Sequence, residues 1–166
     1  MVLCTGCVPH VPDADLKEAA QLNAKLGIQY LEQGHLAMAK AKLLHAQSLA
    51  PQLPEAHYSY AYFLERTGEL KSAEGEYQQA LRLAPHSGQA HNNYAVFLCK
   101  QNRIEEAESH FKQAVQDAQY PWTAEAYENA GFCLLTQDEA KARQYFEKAL
   151  QYDPQRPRAI QALQQL

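Results

Sequence analysis

The sequence predicts an all-α protein, a solenoid of helix–turn–helix units stacked in series, and three columns of residues carry that prediction. Gly27, Ala61 and Ala95 stand 34 residues apart, and Gly131 follows 36 later. Ala39, Ala73, Ala107 and Ala142 keep steps of 34, 34 and 35. Pro51, Pro85 and Pro154 close their units, with Pro121 displaced. Self-similarity at this period is the mark of a helical repeat array, because one hairpin cannot bury its apolar face alone. Such arrays present surfaces rather than reactive clefts, so partner binding is expected ahead of catalysis.

In the first unit Leu22, Asn23, Leu26, Gly27 and Tyr30 share one helical face. The helix closes at Glu32-Gln33-Gly34, where glycine suits a left-handed cap. A second helix carries Ala39, Leu43 and Ala46 on one stripe and stops near Pro51. Ala39 is small so that the two helices approach closely, while Tyr30 and Leu43 fill the wider gaps. The second unit repeats the layout with Tyr60, Ala61, Leu64, Gly68, Ala73, Tyr77, Ala80 and Pro85. The third has Tyr94, Ala95, Leu98, Asn102, Ala107, Phe111 and Ala114. Asn102 stands where the earlier units have glycine, and asparagine enters the left-handed region at modest cost. The fourth has Ala130, Gly131, Leu134, Ala142, Phe146, Ala149 and Pro154, with its turn shortened by one residue at Gln137-Asp138.

These residues resemble the tetratricopeptide repeat over about residues 20–154. The resemblance implies a right-handed superhelix of four repeats, at approximately 20–53, 54–87, 88–123 and 124–156, plus a C-terminal helix. That helix, residues 155–166, has Pro157 near its start and Ile160 and Leu163 on one side. It reads either as a cap with Gln161, Gln164 and Gln165 outward or as the start of a fifth repeat. Residues 1–19 form an N-terminal extension outside the repeats.

The bulk numbers exclude several classes. A net charge of −4 and a pI near 6.0 leave no basic stripe, so no nucleic acid is expected as partner. No stretch approaches the roughly 20 apolar residues that span a bilayer. There is no HExxH, no phosphate-cradling glycine loop and no G-x-S-x-G, so neither an enzyme, a cofactor nor a small-molecule substrate is expected. His57 and His91 each stand three residues before Tyr60 and Tyr94, and that recurrence predicts packing. Glu105-Glu106 and Asp138-Glu139 fall where second helices begin and suit the helix dipole there.

The stretch from His91 to Cys133 is the most distinctive. Asn92-Asn93-Tyr94, Phe97-Leu98-Cys99, Arg103 with Glu105-Glu106-Ala107, Tyr120-Pro121 and Glu128-Asn129-Ala130-Gly131 are similar to the type IV pilus biogenesis and stability proteins, the PilF/PilW family. Two extra residues near Gln119-Tyr120-Pro121 lengthen the loop before Trp122. Members of that family are periplasmic lipoproteins of Gram-negative bacteria and usually carry more repeats than the four seen here. They act as pilotins, helping the outer-membrane secretin to reach its membrane and to multimerise. The resemblance thus implies a non-enzymatic partner of the secretin subunit, anchored to the outer membrane by lipid.

At the N-terminus, Leu3-Cys4-Thr5-Gly6-Cys7 resembles the end of a lipoprotein signal, with Cys7 lipidated. Val8 is not the aspartate associated with inner-membrane retention, which points to the outer membrane. Cys4 and Cys7 also spell CxxC, but zinc needs four ligands and no second pair exists, so no metal site is expected. Cys99 and Cys133 fall late in the first helices of neighbouring repeats. In an oxidising periplasm they form either a disulfide, if their Cα atoms lie within about 7 Å, or two small buried apolar groups.

The partner site is expected on the concave face, which the first helix of each unit lines. Side chains one turn from the packing stripe point there: Tyr58, Tyr62, Glu65 and Arg66; Asn92, Val96, Cys99 and Lys100; Glu128, Phe132 and Leu135. The loop around Tyr120-Pro121-Trp122 adds a second contact. Rival readings are a tetratricopeptide-repeat scaffold of another complex, or the targeting arm of an enzyme.

Overall fold

The computed structural model describes residues 13–166. The expected lipidation site, Cys7, and its neighbour Cys4 lie outside the described residues. Nine helices follow one another among the described residues: α1 (Asp13–Glu32), α2 (Leu36–Leu49), α3 (Pro54–Thr67), α4 (Leu70–Leu83), α5 (Gly88–Lys100), α6 (Ile104–Ala114), α7 (Thr123–Leu134), α8 (Glu139–Tyr152) and α9 (Pro157–Gln165). They pair as hairpins α1–α2, α3–α4, α5–α6 and α7–α8, and the hairpins nest in series with α9 against α8. The result is a tetratricopeptide-type superhelix. Helix α1 begins at Asp13, seven residues ahead of the repeat match, with Asp13 and Asp15 in its first turn. Carboxylates there suit the positive end of the helix dipole.

The columns of small residues mark where the helices of each hairpin cross. Ala39, Ala73, Ala107 and Ala142 are wholly buried, and one turn on Leu43, Tyr77, Phe111 and Phe146 are at most 2% exposed. A Cβ on Gly27 would sit 2.5 Å from Leu43 Cγ, and one on Gly131 2.6 Å from Phe146 Cε1. Backbone of the first helix therefore rests directly on the large side chain of the second. Truncating such a buried aromatic typically costs about 3–5 kcal/mol.

The hairpin turns show why Gly and Asn interchange. Gly34, Gly68 and Asn102 have φ of 79°, 87° and 60°. Each sits in the same pair of bonds: Gly34 N to Leu31 O and His35 N to Tyr30 O, then Gly68 N to Glu65 O and Glu69 N to Leu64 O. In the third turn the pair is Asn102 N to Cys99 O and Arg103 N to Leu98 O. These are the paired bonds that close a helix through a left-handed residue. In the shortened fourth turn, Gln137 and Asp138 both donate their N–H to Leu134 O. Asp138 then caps α8, its carboxylate accepting from Lys141 N at 3.0 Å.

The recurring histidines tie units together. His57 Nε2 and His91 Nε2 each lie 2.9 Å from the carbonyl of the proline six residues earlier, Pro51 and Pro85. That contact makes Nε2 the donor and leaves Nδ1 to its neighbour. For His57 the neighbour is the Glu76 carboxylate at 2.7 Å, which requires a proton on Nδ1 as well and raises the imidazole pKa. For His91 it is Nδ1 of His110 at 2.9 Å. Burial lowers the pKa of both rings, so one neutral imidazole donates to the other.

Candidate functional site

Helices α1, α3, α5 and α7 lie side by side and form the concave face. Four positions in register run along it: Ile28, Tyr62, Val96 and Phe132, at steps of 34, 34 and 36. Turned away from the crossing points, these side chains floor the inside of the curve.

A groove of about 540 Å³ opens across the four helices. It brings together six of the expected residues: Tyr58, Tyr62, Glu65, Asn92, Val96 and Lys100. Glu65 is its electrostatic centre. One carboxylate oxygen holds Lys100 Nζ at 2.6 Å, and the other accepts from the Tyr77 hydroxyl at 3.0 Å. Burial, then the Glu65 charge, pushes the Tyr77 phenol well above its ordinary value. Burial raises Tyr58 likewise. Asn92 is only 2% exposed, and its Oδ1 accepts from Asn129 Nδ2 at 3.3 Å across α5 and α7.

The other expected residues lie elsewhere. Arg66 is exposed at the rim, donating to the Tyr62 hydroxyl at 2.9 Å with its guanidinium 5.7 Å from that ring. Phe132 and Leu135 line a second hollow of about 520 Å³ with α9 residues. There Phe132 meets Phe146 edge-on at 4.9 Å and lies under the Arg158 guanidinium at 4.5 Å. Glu128, expected in the groove, is 1% exposed and grips Arg156 at 2.7 Å and Arg158 at 3.5 Å. It bolts α7 to the start of α9 instead of facing a partner. Two guanidiniums from the cap and first turn of α9 supply the charge that lets a carboxylate be buried there.

Sequence reasoning missed Ile28 and Glu32 on α1, Tyr77 on α4, and Glu125 and Asn129 on α7, all of which line the groove. The register could have found two of them, since Ile28 and Glu32 stand 34 residues before Tyr62 and Arg66. Tyr77 belongs to the packing column, and only its hydroxyl reaches through to Glu65.

Covalent and polar ties hold the walls. Cys99 on α5 and Cys133 on α7 are joined as a disulfide, with Cα atoms 5.7 Å apart. Arg103 reaches Glu74 of the preceding unit at 2.6 Å and Glu106 at 2.7 Å, and Tyr94 donates to Glu74 at 2.8 Å. The Arg103 contact holds the Glu74 carboxyl below its usual range. The lengthened loop folds back onto α5. Asp117 accepts from Gly88 N at 2.8 Å and Gln119 N at 2.9 Å, while Tyr120 is buried so closely that a Cβ on Gly88 would meet it at 2.6 Å. Of this loop, Trp122 stays 52% exposed. Among the described residues, no three His, Cys, Asp or Glu side chains group where they could hold a metal ion.

Comparison with known proteins agrees with this geometry. Tetratricopeptide-repeat family models match residues 54–97 and 86–155. The chain is 34% identical over 160 residues to the type IV pilus assembly protein PilF of Pseudomonas aeruginosa, spanning 92% of this chain and 64% of that protein. The solved structure of Pseudomonas aeruginosa pilF superposes with a TM-score of 0.82 at 33% identity, over 90% of this chain and 68% of that one. PilW, described as a widely conserved type IV pilus biogenesis factor, superposes with a TM-score of 0.77 at 28% identity, over 84% and 64%. The chain thus spans about two thirds of the length of these relatives.

Proposed function

The chain belongs to the PilF/PilW family of tetratricopeptide-repeat proteins, and from that membership we propose that it is a type IV pilus biogenesis pilotin. In this reading it is a non-catalytic, periplasmic lipoprotein, held at the outer membrane through Cys7. It captures a subunit of the secretin and promotes its localisation and multimerisation. The observation that carries the reading is the groove, where tyrosine, asparagine and charged groups from four successive first helices converge. Aromatic side chains bury much area for few rotatable bonds and recur among binding hot spots. Tyr58 and Tyr62 are the half-buried pair best placed for that part.

Mechanistically, a groove pre-shaped by stacked hairpins binds without first having to order itself. The disulfide between α5 and α7 and the Glu65–Lys100 pair between α3 and α5 hold neighbouring walls at fixed spacing. Preorganisation of this kind lowers the entropic cost of capture. A pilotin needs a hold firm enough to escort a subunit and loose enough to release it during assembly.

Co-purification of the secretin subunit with the lipidated chain tests the proposal. Replacing Tyr58 and Tyr62 by Ala is expected to lower capture about tenfold or more, with helical circular dichroism retained. Undiminished capture by a folded Tyr58→Ala/Tyr62→Ala chain would move the site off this groove. Metabolic labelling with a fatty acid tests the anchor. An unlabelled full-length protein would favour a scaffold of another complex.

A further inference from the structure

We propose that the groove selects an extended, basic segment of its partner, reading main chain with the Asn92 carboxamide and cationic side chains with Glu32 and Glu125. This rests on the reading that the groove is the partner site. Glu32, Glu65 and Glu125 are the acidic residues of its lining, and Lys100 is the basic one. Glu65 and Lys100 neutralise each other at 2.6 Å. Glu32 and Glu125 are in no ion pair among the described residues. Arg66 lies within electrostatic range of Glu32 and Arg156 within range of Glu125, neither in a direct ion pair with it. Arg66 donates to Tyr62, and Arg156 holds Glu128 at 2.7 Å. Two carboxylates of the groove, one on α1 and one on α7, are thus free of direct ion pairs among the described residues, and a lining of three Glu and one Lys is net acidic.

Asn92 supplies an independent pointer. It is 98% buried by its 2% exposure, lines the groove, and satisfies one end of its amide on Asn129. The other end has no hydrogen-bond partner among the described residues. That end is not one of the fully buried unsatisfied atoms, so it stays open at the groove, where a bound main chain can pair with it. A peptide main chain offers both N–H and C=O, but only in an extended conformation. A helix satisfies those groups internally and would need a continuous apolar floor. Ile28 and Val96 are separated here by tyrosines, so the floor is not continuous. Opposite charges across such a site set which partner docks and in which register.

The test uses the whole chain and two degenerate dodecapeptide libraries, identical except that two central positions are fixed as Lys in one and Glu in the other. Retention of the Lys library about tenfold above the Glu library at low salt, and a smaller ratio at high salt, is the expected result. Glu32→Gln/Glu125→Gln should bring the ratio to within about twofold, since both residues are at least partly solvated and the fold survives their neutralisation. Asn92→Ala should weaken both libraries alike. Equal retention of the two libraries, retention of neither, or a ratio untouched in Glu32→Gln/Glu125→Gln would overturn the inference. Secretin capture, measured in parallel, separates the two readings. Capture without a Lys preference overturns this inference alone, and a Lys preference without capture supports it while removing the secretin.

Discussion

Replacing Glu128 by Gln keeps the shape of the side chain and removes its charge. Arg156 then meets a neutral amide where it held a carboxylate at 2.7 Å, with Asp153 at 3.9 Å and the more distant Glu125 as its remaining negative charges. Arg158 likewise loses the charge of the same oxygen, 3.5 Å away. Breaking a fully buried pair costs about 3–5 kcal/mol, most of it from the charge left behind. Here the arginine side chains are 21% and 63% exposed, so water recovers part of that, leaving roughly 2 kcal/mol. In a solenoid each element leans only on its neighbours, so the loss should fall on α9 rather than on the whole array. At about 1.4 kcal/mol per decade, amides of α9 should exchange with deuterium some 30-fold faster, while those of α1 to α6 stay unchanged. Exchange followed helix by helix is the assay. Unchanged protection of α9, or an equal loss in every helix, would refute the idea that Glu128 is a local bolt.

Three other outcomes follow. Denatured, unreduced protein purified from an oxidising compartment should yield no alkylatable thiol at Cys99 or Cys133, and reduction should expose both. For Asn102, at φ 60°, replacement by Gly should be neutral or slightly stabilising in urea melts, whereas Ala should cost about 1 kcal/mol. The histidines predict opposing pH effects. His57, raised by Glu76, contributes stability that is present below its unfolded pKa near 6.5 and is lost as pH rises through its folded value. His91 and His110, lowered by burial despite the opposing Pro85 carbonyl and Glu106 carboxylate, contribute stability present above about 6.5 and lost as pH falls through their folded values. Melting temperatures of His110→Phe should therefore decline less than those of the parent chain between pH 7.5 and 5.5 (both about one unit from 6.5).

Much of the architecture was legible because repetition samples each physical requirement several times. A left-handed turn met once by Gly34 is ambiguous, but Gly68 and Asn102 at the same register make it plain. Groove residues that follow the register were legible for the same reason, Tyr62 and Val96 among them. What register could not reveal were contacts that cross it. Glu128 occupies the position of Asn92 in its unit, yet its burial is decided by Arg156 and Arg158, which belong to the next element. Tyr77 looks like core, and is, but its hydroxyl length lets it serve Glu65 as well. Neither fact is written in a local pattern.

In the proposed role, the hollow side of the stacked hairpins holds the secretin. Site-specific photo-crosslinking in cells addresses it directly, with a benzophenone side chain placed either at Tyr62 on the groove or at exposed Lys71 on α4. A secretin adduct is expected from position 62 and none from 71. Adducts from 71 alone would contradict it.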